Sequence, residues 1–470
     1  MDRNPKKASP WNTISLVFLA LSLLFCSEPE PMDELVFGFP SDPASLDPLY
    51  ATDLVSQKIN PFLHRTLYRW KSQILVQDLV KNQTISKSGL ETIWKLQLDG
   101  DYAEDIAFTL DRMKKDNWPR KKEYDFFVGW AIESSDTILI KTKSISEFEF
   151  KEKFTYPFTS ILSKNSTPNN WIGHGPYLVK EWKKNEFLLL ELSSLDSDLP
   201  RQIRIRVLPQ STTSLYLYKK GRLDLFKLSD FQLAQESWNL NNLITKRGRS
   251  VQYIAINNKN PCFDLNFRKA LNYAIPKEKI RNTVLRGFAD SVYGPVPSDS
   301  KEPYPYDLNL AQKYLEQSRC YPDLKTKILE LRMRGDDENQ AKGKVLVTYL
   351  TQLGLNTKLR GMEKAPLYKE NSQGLGDLTL LTWYSDSESL WNFLDPLFHS
   401  KKFGNGGNRS FYENQKITSL LDSQDKPFTP PKEVLEEITR DAPWIFLWSI
   451  PETFLVSDRF LRFSKLRKLF

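Results

Sequence analysis

The spacing of apolar residues along this chain switches repeatedly between a period of two and one near 3.6. That alternation restricts it to layered α/β architecture. "ELVFGF" at 34–39 alternates apolar with polar or small residues and predicts a strand. "PSDPASLDPLYATD" at 40–53 is too rich in proline and aspartate for a helix and predicts an ordered loop. Helical spacing follows at 53–70. "YAEDIAFTLDRMKK" at 102–115 predicts an amphipathic helix, with acids early and bases late as the helix dipole favours. "DTILIKTKS" predicts a strand, and "LYLYKKGRLDLF" a helix closed by Gly221 and then a short strand. "WIGHGPYLVKEW" at 171–182 predicts a bare, rigid corner at Gly173, Gly175 and Pro176 that leads into a strand.

The second half repeats the alternation. "VQYIAINN" predicts a strand ending at Asn257 and Asn258. After a loop with Pro261, a helix runs through Arg268, Ala270, Leu271 and Ala274, breaks at Pro276 and resumes at Lys277. "KVLVTYLTQLGLNTKLRGM" predicts a helix capped by Gly354 and then a strand. "DLTLLTWYSD" predicts a strand running into a polar turn.

Lys6 and Lys7 precede an apolar run at 14–25, and the chain then turns polar and acidic in "SEPEP". A membrane-spanning helix needs about 20 apolar residues. The shorter run, with its basic flank, describes an export signal. Cys26 ends that run in the manner of a bacterial lipoprotein signal, although Phe25 stands where a small residue is usual. The acylated Cys26 would hold the protein to the membrane through a short polar tether. No later stretch is long and apolar enough to cross a bilayer.

The formal charge of +8 is spread over 470 residues rather than gathered in a patch, which argues against nucleic acid. The one dense basic run, "RFLRFSKLRKLF", predicts a last packed element with a solvated face. Cys262 and Cys320 could pair in an oxidising compartment. Nothing in the sequence brings their Cα atoms within about 7 Å, so the reading leans away from a disulfide.

Groups that carry chemistry are scarce. His64, His174 and His399 are far apart, and each reads as a surface or structural residue. There is no HExxH, no paired Cys/His spacing for zinc and no GxSxG elbow. "FGNGGN" lacks the Lys-Ser/Thr of a phosphate loop. The sequence therefore calls for no cofactor, no metal and no enzyme.

Six stretches, in order, resemble the extracytoplasmic solute-binding proteins of ABC importers, in the peptide/dipeptide/nickel-binding group that includes oligopeptide-binding proteins. They are "PSDPASLDPLYATD" around Leu46, Asp47 and Pro48; "YAEDIAFTLDRM"; "GHGPYLVKEW", with His174 for the usual threonine; "YIAINNKNPCFDLNFRKALNYAIPKEKI"; "LTWYSDSESLWNFLDPLF" at Trp383, Asp386, Asn392 and Phe393; and "DAPWIFLW". Glu388 and Leu390 replace the family's usual prolines.

The resemblance implies a two-lobed periplasmic-binding-protein fold of the class II type with a small inserted domain. Lobe I would comprise 34–50, 157–252 and 440–470, the small domain 51–156 and lobe II 253–439, after a signal peptide at 1–25 and a tether at 26–33. The corner at 173–177 would lie by the hinge. The implied function is to bind short peptides in an interlobe cleft and deliver them to an ABC permease in the inner membrane. The protein would act as a monomer in the periplasm or cell envelope. Asp386 would pair with the peptide's α-ammonium group, flanked by Trp383 and Tyr384, with Asn257 also on the ligand. Three rivals are the same fold with a metal chelate or sugar as ligand, a surface lipoprotein that binds other macromolecules, and a DNA-binding regulator. The last would need a helix-turn-helix where the export signal stands.

Overall fold

The computed structural model describes residues 34–469, apart from 52, 72–73, 230–231, 233–237, 298–300 and 424–425. The expected signal peptide, Cys26 and the tether lie outside the described residues.

The first large sheet has seven strands, in the order Leu243–Lys246, Glu452–Val456, Leu225–Lys227, Glu34–Phe39, Gln202–Val207, Phe187–Leu192 and Tyr177–Lys183. Glu34–Phe39 runs parallel to both neighbours, and all six of its residues are buried. A central parallel strand is covered on both faces, whatever the alternation of its sequence. Glu34 is tolerated there because Arg204 Nε donates to its carboxylate at 2.6 Å. The helix Leu54–Leu63 is capped by Asp53, whose carboxylate accepts from Val55 N and Ser56 N. It buries Val55, Ile59 and Phe62 in one cluster with Phe37, Ile203 and Phe454. That helix was expected in the small domain, but its apolar face belongs to the seven-stranded sheet. The helical spacing at 53–70 also stops at Leu63, because Tyr68–Lys71 is a strand.

The second large sheet has six strands, in the order Asp290–Ser291, Trp444–Ser449, Ser250–Ile256, Leu378–Tyr384, Ile328–Arg334 and Asn356–Met362. Helices Leu265–Ala274 and Asp337–Gln352 bury Phe267, Leu271, Leu346 and Leu350 with the strands' Ile254 and Leu331. Val251, Tyr253, Trp444 and Phe446 of these strands belong to a second, aromatic cluster, in which the Tyr253 and Trp444 rings stack at 3.6 Å.

A third unit has a four-stranded antiparallel sheet, Val80–Ser88, Glu91–Leu98, Thr137–Lys143 and Phe127–Ser134, with a two-stranded hairpin, Tyr68–Lys71 and Ile74–Gln77, beside it in sequence. The predicted helix at 102–115 forms as Ala103–Lys115 and packs Ile106 and Leu110 into this unit's core. Trp94 stacks on Phe150 there at 4.0 Å.

The chain crosses between the large sheets through 247–249 and again through 450–451. These crossings replace the expected borders at 253 and 440: Ser250–Ile256 and Trp444–Ser449 pair with each other across the second sheet. The Ser250 hydroxyl ties the two crossings together, donating to the Ile450 carbonyl at 2.8 Å and accepting from Ile450 N at 3.0 Å.

At the corner 173–177 the glycines answer to crowding, because neither adopts a positive φ. A Cβ on Gly175 would sit 2.4 Å from the Leu63 carbonyl carbon, and one on Gly173 would sit 2.0 Å from His64 Nδ1. Gly175 N donates to the Leu63 carbonyl at 2.9 Å, so the corner presses onto the end of helix Leu54–Leu63. Cys262 and Cys320 form a disulfide with Cα atoms 5.2 Å apart, contrary to the expectation from sequence. The basic tail ends in short helices that bury Phe460 and Leu466.

Candidate functional site

A cleft lies where the two large sheets meet, in two compartments that share Leu54, Tyr384 and Ile450. The larger, about 610 Å³, is lined by Gln252, Thr382 and Tyr368 of the six-stranded side and by Ser211 and Ser229 of the seven-stranded side. The smaller, about 420 Å³, is lined by Asp386 and Arg249 on one side and by Lys58, Lys227, Lys246 and Glu452 on the other.

Strand Leu378–Tyr384 delivers the predicted acid. It ends at Tyr384, which is 47% exposed and lines both compartments. Asp386 follows in the turn, and its side chain is 43% exposed, open enough to meet a ligand. Asn392 holds the turn: its Oδ1 accepts from Asp386 N at 3.1 Å and from Ser385 Oγ at 2.9 Å. The next helix begins only at Trp391, so Asp386 is a turn residue and no helix cap.

The charges around Asp386 differ from those of an isolated acid. Arg120 of the third unit brings Nη1 to 3.6 Å from its carboxylate. Burial raises the Asp386 pKa, with Arg120 and Arg249 pulling the other way. Across the compartment, burial pushes the Lys246 ammonium down to about 8, helped by Lys58 and Arg249 and opposed by Glu452 and Glu388. Glu452 is held low despite burial, because Lys58 and Lys227 lie against it.

The structure brings together only part of the expected set. Tyr384 and Asp386 share the cavity. Trp383 points the other way, as alternation along a strand requires, and joins the cluster of Val251, Phe148 and Trp391. Its buried Nε1 finds no hydrogen-bond partner among the described residues. Asn257 is not at the cleft. Ser250 pairs with Tyr384, and Asn257 lies seven residues farther on, roughly 23 Å at about 3.3 Å per residue. Its Nδ2 donates to the Gly374 and Gly376 carbonyls, both at 2.9 Å, which fixes a loop. Cys26 lies outside the described residues.

The sequence reading missed the cations. Lys246 and Arg249 stand in "TKRGRS", where two strands and a glycine turn hid a basic cluster of three in six residues. Lys58, Lys227 and Arg120 have no signal in sequence, because folding alone assembles them. His174 and His399 each place Nε2 3.0 Å from a carboxylate oxygen, of Asp105 and of Asp422. Among the described residues, no group of three His, Cys, Asp or Glu is placed to hold a metal. No helix of the described residues is long and apolar enough to cross a membrane.

Residues 78–405 match the model of the bacterial extracellular solute-binding proteins, family 5. The glutathione-binding protein GsiB of Pectobacterium atrosepticum is 25% identical over 460 residues, covering 86% of this chain and 86% of that protein. The oligopeptide-binding protein AppA of Bacillus subtilis is 24% identical over 490 residues, covering 90% of this chain and 87% of that one. Among solved structures, the periplasmic binding protein DppA of Helicobacter pylori in complex with the peptide STSA has the same two-lobed fold. Its TM-score is 0.68 at 21% identity, over 90% of this chain and 94% of that one. Because the family match takes in well over half of the chain and strands of both sheets that enclose the cleft, the chain belongs to the bacterial extracellular solute-binding proteins, family 5.

Proposed function

We propose that this protein is the ligand-binding component of an ABC importer, and that it takes short peptides into the cleft between its lobes and hands them to a membrane permease. It performs no covalent chemistry. Closure of the lobes buries the ligand, and the closed form is what the permease receives. The Asp386 carboxylate receives the peptide's α-ammonium group, Tyr384 lines the path beside it, and the wider compartment accepts varied side chains. The observation that carries this reading is Asp386 itself: a partly exposed acid at the end of a sheet strand, held by Asn392, facing a cavity at the lobe junction. The binding of peptides by similar proteins supports it.

In this reading lobe I holds the seven-stranded sheet with the helix Leu54–Leu63, lobe II runs between the crossings at 247–249 and 450–451, and the small domain begins near residue 67. The protein is a monomer outside the cytoplasm, and a lipid on Cys26 anchors it to the membrane.

A mixed library of short peptides should raise the melting temperature. A ligand bound only by the folded state stabilises by about 2.7 kcal/mol at a hundredfold excess over Kd. Small-angle scattering should show compaction in the same samples. A shift with a sugar or a metal chelate, and none with peptides, would replace the peptide reading.

A further inference from the structure

The smaller compartment carries more positive charge than an ammonium site calls for. Lys58, Lys227, Lys246 and Arg249 line it, against the carboxylates of Asp386 and Glu452. Glu452 is already engaged: its oxygens meet Lys58 Nζ at 2.6 Å and Lys227 Nζ at 3.5 Å, and Lys246 stands opposite it in the strand register. Glu452 thus serves two ammonium groups and faces a third, and Glu388 is a further negative charge near Lys246 and Arg249. Arg249 donates from Nη2 to the Ser385 carbonyl at 3.3 Å and lies 3.8 Å from Glu388, while its buried Nε has no hydrogen-bond partner among the described residues. Lys227 keeps 47% of its side chain exposed and Lys58 only 19%, and gathering like charges even partly away from water is unfavourable unless a counter-charge joins them. Both Lys58 and Lys246 hold their protons less firmly than a free lysine, with burial as the main cause.

We propose that the ligand carries a carboxylate close to its ammonium group, as in a short peptide whose first or second residue is Asp or Glu, and that this carboxylate seats against Lys227, Lys246 and Arg249. This rests on the peptide reading above. With the α-ammonium at Asp386, the first side chains of the peptide lie inside a space of about 420 Å³ walled by these cations. Arg249 links the two halves, because it acts on Asp386 and on Lys246 alike. A carboxylate accepts charge-assisted hydrogen bonds from all three groups, and a guanidinium offers a paired donor geometry for it. An amide of the same shape gains little of this.

The test is calorimetry with two matched pairs of peptides, Glu-Ala-Ala against Gln-Ala-Ala and Ala-Glu-Ala against Ala-Gln-Ala. In at least one pair the acidic peptide should bind about tenfold tighter or more, and added salt should narrow the gap. Lys246→Met should reduce the preference to less than about threefold. Lys227→Gln provides a second variant, and melting curves of both check that they fold. Equal binding within both pairs would overturn this inference and leave the peptide reading standing. If none of the four bound while a mixed peptide library still raised the melting temperature, only this inference would fall. If no peptide bound at all, both would fall. Succinate binding as tightly as the acidic peptide would also overturn it, since the site would then take free dicarboxylates.

Discussion

Replacing Asp386 by asparagine should weaken peptide binding and, at the same time, leave the empty protein no less stable. The two effects have separate origins. In the closed cleft the carboxylate and the peptide ammonium lose water together, and removing one member of such a pair costs about 2–5 kcal/mol. The lower end applies here. Arg120 lies 3.6 Å from the same carboxylate and competes with the ammonium, and the side chain keeps 43% of its surface exposed in the ligand-free protein. About 2 kcal/mol corresponds to roughly a thirtyfold rise in Kd. The effect on stability follows from protonation. The Asp386 pKa is raised in the folded state, with burial as the main cause. A raised acid contributes stability below its unfolded value of 3.8, and that contribution is lost as pH rises through the folded pKa. At pH 7 the ionised carboxylate is therefore a small burden, and Asp386→Asn should melt at the same temperature as the wild type or slightly above it. Peptide affinity should run the other way and fall as pH drops through that raised pKa, because a neutral carboxyl no longer attracts an ammonium. Calorimetry with free and N-acetylated peptides on both proteins makes a double-mutant cycle. Additive losses would mean that Asp386 and the ammonium do not touch. A clear drop in the melting temperature of the empty mutant would mean that the Arg120 pair, and not ligand binding, is what Asp386 serves.

Three further outcomes are expected. Reduction of Cys262–Cys320, or its replacement by two alanines, should cost roughly 4 kcal/mol in denaturant unfolding, the loop-entropy value for a separation of 58 residues. Gly175→Ala forces a Cβ to 2.4 Å from the Leu63 carbonyl carbon and should cost about 1–3 kcal/mol in urea unfolding, whereas an unchanged midpoint would show that the corner can move aside. Cys26→Ala should abolish both detergent-phase partitioning and incorporation of labelled fatty acid, and a mature N-terminus at any other residue would refute the anchor.

Local patterns in the sequence anticipated most of the elements. Strand Leu378–Tyr384 and helix Ala103–Lys115 announce themselves by period and by charge placement, and both form as expected. The turn that holds Asp386 was legible for the same reason, as the place where a strong strand period stops. What failed depended on the fold as a whole. Asn257 also ends a strand, but that strand is antiparallel to Leu378–Tyr384, so its C-terminal end lies at the far side of the sheet from Tyr384. Trp383 and Tyr384 are adjacent in sequence and for that reason face opposite ways. The expected borders at 253 and 440 differ from the sheet crossings at 247–249 and 450–451 because an all-buried strand such as Trp444–Ser449 carries no mark of which sheet it joins. The basic wall was invisible because Lys58, Lys227 and the pair Lys246 and Arg249 come from three segments that only the fold brings together.

The bond between Ser250 and Ile450 has a mechanical consequence. With two separate links, the lobes could both swing and shear, each strand sliding a little past the other. A hydroxyl that gives and takes a hydrogen bond across the links couples them, so that sliding one link past the other would break both bonds. Arg249 is the residue next to Ser250, and its guanidinium reaches into the cleft. If the lobes swing about these links, a ligand that pulls on Arg249 would act at the root of the lever, where a small displacement sweeps the far ends of both lobes through a wide arc.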